Sequence, residues 1–273
     1  VAPTAAEVWL DWIVVADLKP NTLAAYWTAW RRYLAPALGR RPIDKITYRD
    51  YAELARGLKH RPSTCANVLS AARGLHKHAM REEWSTANPA ALVDMPASNV
   101  RYRPVTLEEG HRVLRAADTC QDRRFGLYVK VLAVTGARRN EVEAIRVDQI
   151  APGGVFQLPG HATKTGKPHF LVIPADVVME LVETGDNRPF LRFARRAGQH
   201  RWEKFCAANG FENLHMHDLR RLVAAAATQS MDARTASTLL NHQSRISDSV
   251  YSQASIDARI AASQKVAALV SGA

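Results

Sequence analysis

The sequence predicts a mainly α-helical chain that carries one small β-hairpin and divides into two domains. Three observations predict it. Apolar residues recur at helical spacing through most of the 273 residues. Two β-rich runs, Val155–Leu158 and 170–173, flank a Gly/Lys/Pro turn, the pattern of a hairpin. Residues 95–104 include Pro96, Ser98, Asn99, Arg101, Arg103 and Pro104, a basic linker composition. Residues 1–95 therefore read as a helical domain, 96–104 as the linker, and 105–273 as a mixed α+β domain with a C-terminal tail. A hydrophobic share of 47% suffices for a sizeable core.

In chain order, Trp9, Trp12, Ile13 and Ala16 mark a first helix. Pro20 and Asn21 punctuate, and a second helix carries Leu23, Tyr26, Trp27, Trp30 and Leu34. A turn follows at 39–42. Thr47 with Asp50 three residues on predicts the cap of a third helix that reaches about Leu58. A fourth spans about 63–81, with Val68, Leu69, Ala72, Leu75 and Ala79 inward, and Asn88-Pro89 closes the domain. The tryptophans at this spacing read as core rather than as platforms for stacking bases. Beyond the linker, Thr106 with Glu109 predicts a capping box. Residues 129–134 form an apolar helical segment leading to Gly136. After the hairpin, helical patterns return to the end. Ile256, Ile260, Ala267 and Val270 share one face of the tail.

Charge narrows the function classes. The formal net charge is +11, spread along the chain. Such an excess favours a polyanionic partner. Nucleic acid fits better than membrane, because no lipidation motif and no long basic amphipathic anchor is present. No apolar run approaches a membrane span. Cys65, Cys120 and Cys206 are too few and too scattered for a disulfide framework or a zinc cluster, so a reducing cytoplasm is the expected compartment. Val1-Ala2-Pro3-Thr4 lacks the regions of a signal peptide, and the missing initiator methionine leaves room for preceding residues.

The chemistry-bearing residues are ordered. Thr135-Gly136-Ala137-Arg138 comes first, then Lys164-Thr165-Gly166-Lys167, His217-Asp218-Leu219-Arg220, Leu240-Asn241-His242 and Tyr251. In-line attack on a phosphodiester loads charge onto the non-bridging oxygens, and positioned guanidiniums answer it with paired hydrogen bonds. Arg138 and Arg220 are the candidates. A lone arginine is ordinarily a solvated helix-face residue, so the order of the set carries the argument. A phenol near pKa 10 needs a base or a cationic surround to attack. His217 is placed to take the proton of Tyr251, and His242 to bond a phosphate oxygen. A lysine on a hairpin can protonate the departing oxygen. Lys164 and Lys167 both lie there, and Lys167 reads better as a backbone contact. Residues 160–167 only resemble a phosphate loop. Five residues separate the glycines, Pro168 stands where Ser or Thr belongs, and the segment joins strand to strand. His215-Met216-His217 has no evident third metal ligand.

This set resembles the tyrosine recombinase, or phage integrase, family. Thr135-Gly136-Ala137-Arg138-Arg139-Asn140-Glu141 is similar to its first arginine box, with Glu141 at the acidic position. Lys164 matches the hairpin lysine, His217-Asp218-Leu219-Arg220-Arg221 the second box, Leu239-Leu240-Asn241-His242 the third, and Tyr251 the nucleophile. The first domain resembles the family's helical core-binding domain, through its Asn88-Pro89-Ala90 ending. Asn241 departs from the usual glycine, and 224–227 is an alanine run; neither removes a catalytic group.

The resemblance implies a site-specific DNA recombinase working through a 3′-phosphotyrosine, with its two halves closing on duplex DNA. Catalysis would rest on Arg138, Lys164, His217, Arg220, His242 and Tyr251, supported by Glu141, with no cofactor and no metal. The implied partners are double-stranded DNA with paired half-sites and further copies of the chain, four on DNA, with the tail docked on a neighbouring protomer. No arm-binding domain is visible ahead of the core-binding one. Two rivals share the scaffold: a type IB topoisomerase-like strand transferase, and a catalytically silent DNA-binding regulator.

Overall fold

The structure, a computed structural model, describes residues 2–97, 101, 103–160, 163, 168–193, 196–231 and 253–272. The chain forms two compact units, Val1–Arg101 and Tyr102–Ala273.

The first unit is helical. Helix α1 (Ala5–Val15) starts at a reciprocal cap. The Glu7 amide donates to Thr4 Oγ1 at 3.3 Å, and the Thr4 amide donates to Glu7 Oε2 at 2.7 Å. Helix α2 (Pro20–Ala29) begins on Pro20, whose missing N–H is no loss in a first turn. The second helix is thus longer than its apolar pattern suggests. It continues through one wide π turn (Trp30–Leu34) into α3 (Ala35–Leu38). The Trp9 indole is fully buried, stacked on Trp30 at 4.7 Å and met edge-on by Trp12 and Trp27. These rings are core, as expected. Gly74 makes room for them, since a Cβ there would lie 2.4 Å from the Trp12 ring.

Helix α4 (Tyr48–Gly57) carries the expected Thr47–Asp50 box. Helix α5 (Pro62–Arg81) buries the five predicted residues together with Cys65, His76 and His78. Arg73 on α5 donates to the carbonyls of Ala90 and Val93 at 3.1 and 2.7 Å, so the domain's last turn is tied back.

Tyr51 Oη and His76 Nε2 lie 2.9 Å apart, both fully buried. Burial pulls the His76 pKa down to about 4. The folded imidazole stays neutral where an unfolded one, near 6.5, takes up a proton. This stability is therefore complete above pH 6.5 and is lost progressively as pH falls to about 4. The loss should amount to about 3 kcal/mol. Melting of wild type and His76→Leu across this window checks it. The wild type should show the steeper slope, and equal slopes would contradict the assignment.

In the second unit, α6 (Leu107–Asp118) packs on α7 (Arg123–Thr135). Only half of the expected capping box at Thr106 forms. The Glu109 amide donates to Thr106 Oγ1 at 3.1 Å, but the Glu109 carboxylate turns to Arg103. Helix α7 ends at Gly136, in the left-handed region at φ 62°, which glycine adopts without a Cβ clash. The short α8 (Arg139–Glu143) follows at once.

The expected hairpin is an antiparallel pair, β2 (Val155–Leu158) with β3 (His169–Val172), in the register Val155↔Val172 and Leu158↔His169. Its second strand starts one residue earlier than predicted. A third strand, β1 (Ile150–Ala151), joins on the far side of β2. Two residues are too short a run to show a period in sequence.

Helices α9 (Ala175–Glu183), α10 (Arg196–Ala208), α11 (Met216–Ser230) and α12 (Gln253–Ser271) complete the unit. Val266, Ala267 and Val270 of α12 belong to this unit's own core, packed with α6, α7 and α11, and Ile260 is half-buried. Lys265 Nζ donates to the Ser230 carbonyl at 2.9 Å, and His111 Nε2 lies 2.9 Å from the Leu269 carbonyl. Within the single chain, this apolar face packs on its own unit. Among the described residues no helix is long and apolar enough to cross a membrane.

Candidate active site

Two chain segments far apart in sequence meet at the end of α7. Gly136 turns the chain so that Arg138 becomes the N-cap of α8. The carboxylate of Glu141, 1% exposed, grips Arg138 twice. It accepts from the Arg138 amide at 2.7 Å and from Nη1 at 2.8 Å. One buried acid thus fixes both the backbone and the guanidinium of Arg138. Thr135 Oγ1 stiffens the turn, donating to the Val131 carbonyl and accepting from the Ala137 amide.

The second segment is α11. His215 caps it, its amide donating at 2.8 Å to Asp218, whose other oxygen accepts from Arg221 at 3.1 Å. The helix starts at Met216, so His217 lies in the first turn and Arg220 in the second. Arg220, 6% exposed, donates through Nη1 to the Gly136 carbonyl at 2.7 Å. That bond spans 84 residues of chain and joins the two arginine segments directly.

The electrostatics are those of crowded cations. Burial, and then the charge of Arg138, pull the Arg220 pKa down to about 10, with Glu141 opposing. Arg220 remains charged at neutral pH. His217 keeps an open face, yet its imidazole is held below its ordinary value. The protein around it is the main cause, then Arg220 and Arg221, with Asp218 opposing and Arg138 adding further repulsion. A neutral imidazole at pH 7 is free to accept a proton. Guanidiniums forced together in partial burial favour an anion between them.

Of the sequence candidates, Arg138, Glu141, His217 and Arg220 are brought together. Lys164, His242 and Tyr251 lie outside the described residues. Sequence reasoning missed Asp218 and the Gly136 carbonyl. Asp218 had a local signal, an acid three residues after His215 at a helix start. The carbonyl had none. Among the described residues no group of three or more His, Cys, Asp or Glu is placed to hold a metal ion.

Comparison with known proteins places this geometry in context. Residues 104–256 match the model of the phage integrase family. Tyrosine recombinase XerC of Pelobacter propionicus is 24% identical over 269 residues, covering 88% of this chain and 87% of that protein. A lambda integrase tetramer bound to a Holliday junction matches with TM-score 0.72 at 18% identity, over 92% of this chain and 81% of that one. The Tn1549 transposon integrase in complex with circular intermediate DNA matches with TM-score 0.68 at 14% identity, over 95% of this chain and 99% of that one.

Proposed function

The chain belongs to the phage integrase family and is a tyrosine-type site-specific DNA recombinase, and from that premise we propose how its residues divide the work. The Tyr251 oxygen attacks the scissile phosphorus while its proton passes to His217. A bond forms from the Tyr251 oxygen to phosphorus, and the bond from phosphorus to the 5′ oxygen breaks. Lys164 gives that oxygen its proton. Arg138, Arg220 and His242 hold the charge of the pentavalent state, and Glu141 holds Arg138. The 5′ hydroxyl of a partner strand then reverses the sequence and releases the tyrosine. The chain's own residues supply every proton transfer in this scheme, so no cofactor is required.

The observation that carries the reading is the Arg138–Arg220 pair. The Arg138 guanidinium is held by a buried carboxylate and that of Arg220 by a backbone carbonyl two residues before Arg138, near enough for the charge of Arg138 to lower the Arg220 pKa. Holding like charges together is costly, and a tetrahedral or pentavalent phosphorus centre repays that cost. Duplex DNA with paired half-sites is the proposed substrate, and four copies on DNA the proposed working assembly. The lambda integrase tetramer on a Holliday junction supports this. Residues 1–95 are the proposed core-binding domain, and the DNA of the cytoplasm the proposed place of action.

Trapping on nicked suicide DNA from the sequence flanking the native gene tests the function directly. Wild type should leave a covalent adduct, and none on any flanking duplex would contradict it. Lys164→Ala should cleave ordinary DNA slowly but recover most of its rate on a duplex with sulfur at the bridging 5′ position, since a thiolate leaves unprotonated. Equal impairment on both would move the acid elsewhere, to Lys167 first. Affinity for the duplex should fall by orders of magnitude between about 50 and 200 mM salt, as lysine and arginine contacts release counterions. A flat profile would assign the +11 charge another purpose.

A further inference from the structure

Arg103 stands where the linker enters the second unit. As a linker arginine it would ordinarily be a phosphate contact, but its surroundings argue otherwise. Its guanidinium forks onto Glu109 of α6, Nη1 to Oε2 at 2.9 Å and Nη2 to Oε1 at 2.6 Å. Nη2 also donates to the Glu212 carbonyl at 3.1 Å. The two side chains are only 20% and 18% exposed. A charge neutralised by a bidentate partner and largely shielded from solvent is a poor ligand for DNA phosphate, but a strong clasp.

The clasp holds the loop that feeds α11. Glu212 precedes the His215 cap by three residues. Between them Asn213 sits at φ 51°, a left-handed conformation unusual for a residue with a side chain. Trp202 Nε1 donates to the Leu214 carbonyl at 2.9 Å, and Arg112 lies over the Phe211 ring. The loop is therefore pinned at either side of Asn213, and Arg103 supplies the upstream pin. His217 and Arg220 occupy the first two turns of the helix that this loop delivers. Glu109 gives up half of its capping box to take part.

We infer that Arg103, with Glu109, is a positioning residue for DNA cleavage: its fork on the Glu212 carbonyl sets the start of α11 and so the placement of Arg220 on the scissile phosphate. The inference rests on the recombinase reading above. It separates affinity from rate. Losing the clasp should leave DNA binding intact and slow the chemical step, because small misplacement of a charge-stabilising group costs rate steeply.

The test is single-turnover cleavage of suicide DNA at saturating protein, alongside the Kd for a half-site duplex. Arg103→Ala should cleave about tenfold more slowly, with affinity within about twofold of wild type because the phosphate contacts are retained. Glu109→Ala should reproduce the loss, the double variant should be no slower than either, and Arg103→Lys should recover part. In an Arg220→Lys background, Arg103→Ala should cost little more, because the guanidinium it positions is gone. An Arg103→Ala protein with wild-type rate at saturation would overturn the inference. So would one with weakened affinity and unchanged rate, which would make Arg103 a phosphate contact. A full tenfold cost in the Arg220→Lys background would mean that Arg103 acts through general stability. Should Arg103→Ala fail to fold, Arg103→Lys faces the same rate and affinity comparison. Absence of adduct from wild type would instead remove the recombinase reading itself.

Discussion

Tyr251→Phe should bind its duplex as tightly as wild type and form no covalent adduct. The phenolic oxygen is the atom that bonds to phosphorus, and its removal leaves nothing to attack. Affinity is unaffected because lysine and arginine contacts to phosphate dominate it. The expected loss is complete on a denaturing gel, while the band shift on a native gel persists. An adduct that survives denaturation in this variant would mean that another side chain is the nucleophile.

Arg220→Ala should lower the single-turnover cleavage rate by about a hundredfold to a thousandfold, the usual cost of removing one preorganised donor from a developing oxyanion. The buried position of Arg220 favours the upper end, since water cannot readily replace the guanidinium. Its bond to the Gly136 carbonyl fixes one edge of that group at 2.7 Å and so limits its freedom. Lysine should rescue poorly, because an ammonium lacks the planar fork that spans a carbonyl and a phosphate together. Stability should suffer less than rate, since the substitution also relieves repulsion from Arg138. A duplex with a methyl in place of one non-bridging oxygen builds less charge, and should narrow the gap between variant and wild type. A rate within threefold of wild type on ordinary DNA would take Arg220 out of charge stabilisation.

What the sequence disclosed depended on range. Local signals were reliable. Thr47 and Asp50 are three residues apart and formed their cap. Val68, Leu69, Ala72, Leu75 and Ala79 pointed inward as their spacing required. Glu109 shows the limit of such signals. Its position suited a capping box, but Arg103 six residues upstream offered its carboxylate a charged fork, and charge won over a neutral amide. The tail shows another limit, for periodicity reveals that a face must be buried without naming what buries it. Strand β1 is too short to have a period at all. At the site, the order of Arg138, His217 and Arg220 was legible through the family resemblance. The bond between Gly136 and Arg220 was not, because it belongs to two segments that only the folded core brings together. The double grip of Glu141 on Arg138 lies between these cases: its spacing was visible, but not that one carboxylate would hold amide and guanidinium alike.

The packing of the indoles gives the two units separate optical signatures. Five of the six tryptophans, Trp9, Trp12, Trp27, Trp30 and Trp84, lie in the first unit, and only Trp202 in the second. Trp9 is crossed by Trp12 and Trp27 at 5.4 and 5.5 Å between ring centroids, close enough for their transitions to couple and to mark the intact first unit in circular dichroism. Trp202, bonded to the Leu214 carbonyl just ahead of α11, is a lone emitter beside the loop that delivers the catalytic helix. With the other five replaced by phenylalanine in a variant that still folds, its emission would follow that loop alone. Rearrangement around the scissile phosphate would then be read in a stopped-flow trace without signal from the first unit.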